Sequence, residues 1–93
     1  MNRVPRLVPL LFLLACSTGN LAPQAREVRV TEADADVQNC KILGVVESKP
    51  PYILPTDGVN QLKNATAALG GNVVYLSATG LERGKSGMAY RCP

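Results

Sequence analysis

Nine apolar residues near the start, Leu7–Ala15, decide how much of this 93-residue chain is left to fold. Arg3 and Arg6 precede them, and Pro9 interrupts them. A positive stretch, a short apolar stretch and a small residue form the layout of a secretory signal peptide. Nine helical residues reach only about 14 Å, against a hydrocarbon core of roughly 30 Å, so the run is too short to span a bilayer. Residues 1–15 are therefore expected to be removed, leaving 93 − 15 = 78 residues for one small domain.

The residue after the run carries its own signal. Leu13-Leu14-Ala15-Cys16 resembles the lipobox of bacterial lipoproteins, where a small residue precedes the cut and the thiol after it receives diacylglycerol. A plain secretory signal with an incidental Cys16 is the rival reading. Lipid on Cys16 would hold the chain to a membrane, because two or three acyl chains anchor far better than one. Ser17, in place of Asp, resembles the default for outer-membrane sorting, with the domain facing the periplasm.

Removing the leader also changes the charge argument. The chain carries 10 basic and 7 acidic residues, and losing Arg3 and Arg6 leaves 8 − 7 = +1. With Phe12 in the leader, only Tyr52, Tyr75 and Tyr90 remain as aromatics, scattered along the chain. No basic-aromatic face for stacking bases is discernible, so nucleic acid is not an expected partner. Three cysteines become an even pair once Cys16 is assigned to lipid. In an oxidising compartment Cys40 and Cys92 are then expected to form a disulfide, with two buried free thiols as the alternative.

The remaining residues read as a tether and a domain. Residues 16–26 form the lipidated N-terminus and a flexible tether, small, polar and broken by Pro23. Within the domain, residues 27–93, Val28-Arg29-Val30 alternates like a short strand, and residues 31–39 form an acidic connection or a frayed helical turn. Residues 40–47 read as a second strand in which Gly44 suggests a bulge or a close backbone approach. Period two then puts Ile42 and Val46 on the face of Cys40, and Met88 and Tyr90 on that of Cys92. Pro50, Pro51 and Pro55 stiffen residues 48–56 into an extended loop. A helix capped by Asp57 or Thr56 follows, with Val59, Leu62, Ala65, Thr66 and Leu69 at helical spacing and Gly70-Gly71 as its stop. Residues 73–78 form a strand, residues 80–87 a mobile hairpin loop, and residues 88–92 the closing strand. The order ββαββ predicts an α+β two-layer domain, one helix on a small, mostly antiparallel sheet.

Three segments carry a family resemblance: Cys40-Lys41-Ile42-Leu43-Gly44, the unit from Leu62-Lys63-Asn64-Ala65 through Leu69-Gly70-Gly71-Asn72-Val73-Val74-Tyr75, and the terminal Gly87-Met88-Ala89-Tyr90-Arg91-Cys92-Pro93. They resemble a family of short proteobacterial lipoproteins of unknown function, distantly similar to the outer-membrane sensor lipoprotein of the Rcs envelope-stress system. The resemblance implies a lipid anchor and a disulfide and lends no activity. The Rcs sensor has two disulfides and this domain can form one, which places the chain with the uncharacterised branch.

Chemistry is sparse. With no histidine, Ser-His-Asp and Cys-His catalysis and histidine-ligated metal are excluded. Gly70-Gly71-Asn72 leaves a helix, whereas phosphate loops lead into one. Glu32, Asp34 and Asp36 have the spacing of a calcium loop but lack its glycine and distal glutamate, and read as a solvated acidic turn. No cofactor, metal or catalytic residue is expected, so the chain reads as a non-enzyme. Tyr52, Ile53 and Leu54 are the one candidate contact patch. Their competing reading, a plug folded back over the sheet edge, is favoured because an extended apolar loop has little other reason to be stiff. The expected role is a non-enzymatic envelope lipoprotein contacting another envelope component, with an envelope protein as candidate partner. The alternative is a periplasmic small-ligand or metal-binding domain.

Overall fold

The computed structural model describes residues 21–78 and 80–93. The expected signal peptide (residues 1–15), the lipid site Cys16 and the first tether residues 17–20 lie outside them. Five regular elements follow one another: strands β1 (Arg29–Thr31) and β2 (Lys41–Glu47), helix α1 (Asp57–Ala68), and strands β3 (Val73–Tyr75) and β4 (Ser86–Arg91). They form the expected α+β domain, a four-stranded sheet in the order β1-β3-β4-β2 with one helix against it. β4 runs antiparallel to both of its neighbours, and β1 pairs parallel with β3. β2 and β3 therefore run the same way with β4 between them, and α1 is the crossover that joins them. Residues 32–40 make the other crossover, from β1 at one edge to β2 at the opposite edge.

The helix buries the stripe its sequence announces. Leu62 and Thr66 are fully buried, Val59 and Ala65 flank them, and the core beneath is Val28, Val46, Val74, Leu76 and Ala89. Leu69, expected in the stripe, sits at the C-cap and is exposed. Gly70 next to it takes φ +85°, and the Gly70 and Gly71 amides donate to the carbonyls of Ala67 and Thr66, both at 2.9 Å. That is the paired-bond C-terminal motif, and its left-handed residue favours glycine. The N-terminus departs from expectation. Thr56 holds the cap position without a side-chain bond, and the Asp57 carboxylate turns back to the preceding loop instead.

Thr66 leaves its hydroxyl oxygen buried and unpartnered among the described residues. Thr66→Val keeps the branched shape and removes that desolvated group. It should stabilise by about 1 kcal/mol, raising the melting temperature by roughly 4–8 °C for a domain this small. A calorimetric scan showing a lower melting temperature would reveal a partner for the hydroxyl.

β2 carries the expected bulge. Ile42 pairs with Tyr90 and Gly44 with Ala89, so Leu43 is the extra residue, and Gly44 takes φ +150°, a value side chains rarely allow. The bulge shifts the alternation behind it. Ile42 (61% exposed) and Val45 (63%) share the outer face, while Val46 packs in the core. The expectation that Ile42 and Val46 share a face is thus corrected, because one inserted residue reverses the parity of a strand. Beyond the Lys41–Arg91 pair, Cys40 and Cys92 stand opposite each other with Cα atoms 4.3 Å apart, and their sulfurs are bonded. The Asn72 side chain clamps the same end, donating from Nδ2 to the Cys92 carbonyl (3.0 Å) and accepting the Cys92 N–H at Oδ1 (2.8 Å).

Two segments read as loose are packed. Pro23–Glu27 is a 3-10 helix lying against α1, with Ala25 fully buried and the Ala22 N–H donated to Asn64 Oδ1 at 2.8 Å. Residues 22–26 of the expected tether thus belong to the packed domain, and small residues hide this because they carry no periodic apolar signal. The 80–87 segment, expected as a mobile hairpin loop, begins with a 3-10 turn (Gly80–Glu82) and docks on the end of β2. Ser48 donates its N–H to the Lys85 carbonyl (2.9 Å) and its hydroxyl to the Gly84 carbonyl (2.6 Å).

Candidate functional site

The proline loop is built around its backbone. The Asp57 carboxylate, in the first turn of α1, accepts the N–H groups of Ile53 (2.8 Å) and Leu54 (2.9 Å) through one oxygen, Oδ2. One turn later Gln61 grips Lys49 twice: its Oε1 accepts the Lys49 N–H and its Nε2 donates to the Lys49 carbonyl, both at 2.9 Å. Tyr52 and Ser48 share a hydroxyl bond of 2.9 Å. These bonds turn the backbone toward the helix, and the side chains therefore point away from it. Ile53 is 84% exposed, Leu54 60% and Tyr52 39%. The plug over the sheet edge is corrected on this point: the loop is held by polar clamps, and Ile53 and Leu54 stay largely exposed, with Tyr52 partly covered.

A groove of ≈470 Å³ runs between this loop and the 80–85 connection, walled by Tyr52, Leu54, Arg83 and Lys85 among others. Both cations already face carboxylates, Arg83 Nε to Glu32 at 2.8 Å and Lys85 Nζ to Glu82 at 3.5 Å. The fixed charge around the loop therefore largely cancels, and its surface character is apolar.

The three acidic residues of the 32–40 crossover do not converge. Glu32 goes to Arg83, Asp36 accepts the Thr31 hydroxyl, and Asp34 accepts a hydrogen bond from Tyr75. Each bonds a different part of the domain, and residues 32–36 stay exposed, as the solvated turn read from the sequence requires. The bond to Asp34, then loss of hydration, then the negative charge of Asp34 hold the Tyr75 phenol above its ordinary pKa. Tyr75 and Val74 are consecutive in β3 and point to opposite faces. Val74 lies in the core on the helix side, so this crossover covers the other face.

The sequence named Tyr52, Ile53 and Leu54 together and the structure keeps them together. It missed Asp57 and Gln61 as the residues that aim them. An aspartate shortly after a proline loop is the signal available, since its side chain commonly bonds nearby backbone N–H groups. Cys16 lies outside the described residues, whereas Cys40 and Cys92 are the bonded pair. Among the described residues no helix is long and apolar enough to cross a membrane. No known protein family, curated protein or solved structure matches the chain.

Proposed function

We propose that this chain is a non-enzymatic envelope lipoprotein, anchored to the outer membrane through Cys16, whose disulfide-tied domain contacts another envelope component through Tyr52, Ile53 and Leu54. The observation that carries the contact is the exposure of those side chains on a loop whose backbone is fixed by Asp57 and Gln61. A fixed apolar loop loses little conformational freedom on association, which favours binding. The lipobox-like Leu13-Leu14-Ala15-Cys16 behind Arg3 and Arg6 supports the anchor. The groove beside the loop is the one observation favouring the alternative, a small-ligand site, since its volume falls within the roughly 300–1,000 Å³ usual for such pockets. The pairing of Arg83 and Lys85 with carboxylates leaves that reading second.

Two variants test the proposal. Cys16→Ser should abolish palmitate incorporation and leave the leader uncleaved; normal labelling would refute the anchor. Ile53→Ser/Leu54→Ser should keep the melting temperature, because exposed substitutions usually shift stability by less than about 0.5 kcal/mol. The same variant should lose the crosslinks that the parent loop forms in intact envelopes. Unchanged crosslinking would refute the contact.

A further inference from the structure

We infer that the component met by the proline loop is the lipid surface itself: Ile53 and Leu54 enter the interface of the membrane that holds Cys16, making a second, apolar point of attachment. The inference rests on the lipoprotein reading above and names the partner of the same site. Three observations carry it.

The first is where the described chain begins. Ala22 is fixed to Asn64, seven residues into α1, which is about 10 Å along the axis from the helix start that holds the loop. From Ala22 the 3-10 helix heads toward the far end of α1, where Gln24, Glu27 and Val28 line a cleft with Gly70 and Asn72. Only six residue steps separate Ala22 from Cys16, at most about 22 Å when fully extended. Acyl chains on Cys16 thus keep Ala22, and the proline loop about 10 Å from it along α1, within reach of the membrane surface.

The second is the state of the loop's backbone. A segment entering a bilayer interface is penalised for every unpaired N–H it brings. Pro50, Pro51 and Pro55 have none, and those of Ile53 and Leu54 are taken by Asp57, so of residues 50–55 only Tyr52 keeps an N–H without a partner among the described residues. The third is chemistry. Ile53 and Leu54 are the apolar tip, Tyr52 beside them is a residue type enriched at membrane interfaces, and the nearby Arg83 and Lys85 are paired with carboxylates. The contact is therefore apolar and should not require anionic lipid.

The test uses the full acylated protein, its acyl mass checked first, in vesicles of phosphatidylethanolamine with or without phosphatidylglycerol. Ile53→Cys carries an environment-sensitive fluorophore. The control probe is Ala68→Cys, exposed about 16 Å further along α1. At position 53 the emission should move to shorter wavelength and be quenched about twofold or more by lipids spin-labelled near the headgroup, the depth at which interfacial segments lie. The control should show neither change. Adding Leu54→Ser should weaken the quenching, and omitting phosphatidylglycerol should not. Emission at 53 equal to the control's would overturn membrane contact. If that probe became shielded only in intact envelopes, with a protein crosslinked to it, the lipid assignment would fall and the contact reading would stand. Solvent-like emission in both preparations would remove both, as would an unacylated Cys16.

Discussion

Cys40→Ala/Cys92→Ala should melt far below the parent, with a loss of about 4 kcal/mol. The bond closes a loop of sequence separation 52, and the chain-entropy relation gives about that value at 25 °C. For a domain of about 70 residues the whole stability is on the order of 4–10 kcal/mol, so the bridge accounts for a large part of it. The expected fall in melting temperature is roughly 15–30 °C. Position adds to chain entropy here. β2 is an edge strand, hydrogen-bonded on one side only, and its bulge interrupts that single ladder. The bridge fastens the end of β2 nearest the bulge to the central strand β4, where Asn72 already grips Cys92. Melting of the parent with and without a reductant should reproduce the same difference. Equal melting temperatures for oxidised protein and double variant would show that the bridge contributes no stability.

What the sequence made legible follows from how local each signal is. The end of α1 depends on Gly70 and Gly71 alone, and the structure ends the helix there. The lone Gly44 marked the bulge for the same reason. The bulged residue, Leu43, is defined by the partner register on β4, some 45 residues away in sequence, and the outward turn of Val45 follows from it. No pattern within β2 holds that information, which is why period two alone puts Val46 on the wrong face. The strand limits moved likewise: β3 stops at Tyr75 although its apolar run continues to Leu76, whose N–H bonds the Thr31 carbonyl beyond the pairs of the ladder. In the candidate site, composition named Tyr52, Ile53 and Leu54, and the prolines announced stiffness. Direction came from Asp57 and Gln61, whose roles as clamps are geometric. Ala25 shows the remaining gap: a single small residue becomes buried only because α1 lies over it.

Leu62→Ala should cost about 3 kcal/mol, within the usual range of roughly 2–5 for a buried leucine. Leu62 is fully buried at the middle of α1, in the cluster of Val46, Val74, Leu76 and Ala89, which draws on β2, β3, β4 and the segment after β3. Truncating it leaves a void beneath the only α-helix among the described residues, and small β-branched neighbours can close little of that space. With the disulfide intact the variant should still fold, melting roughly 10–20 °C below the parent. The bridge acts mainly on the unfolded chain and Leu62 on native packing, so the two losses should add, to about 7 kcal/mol. That sum falls within the whole stability expected for the domain. Reductant should therefore unfold Leu62→Ala at a temperature where reduced parent remains folded. Far-ultraviolet circular dichroism of the four samples, parent and variant, oxidised and reduced, reads this directly. If reduced Leu62→Ala kept the helical signal of the oxidised parent, neither the core under α1 nor the bridge could have the weight assigned here.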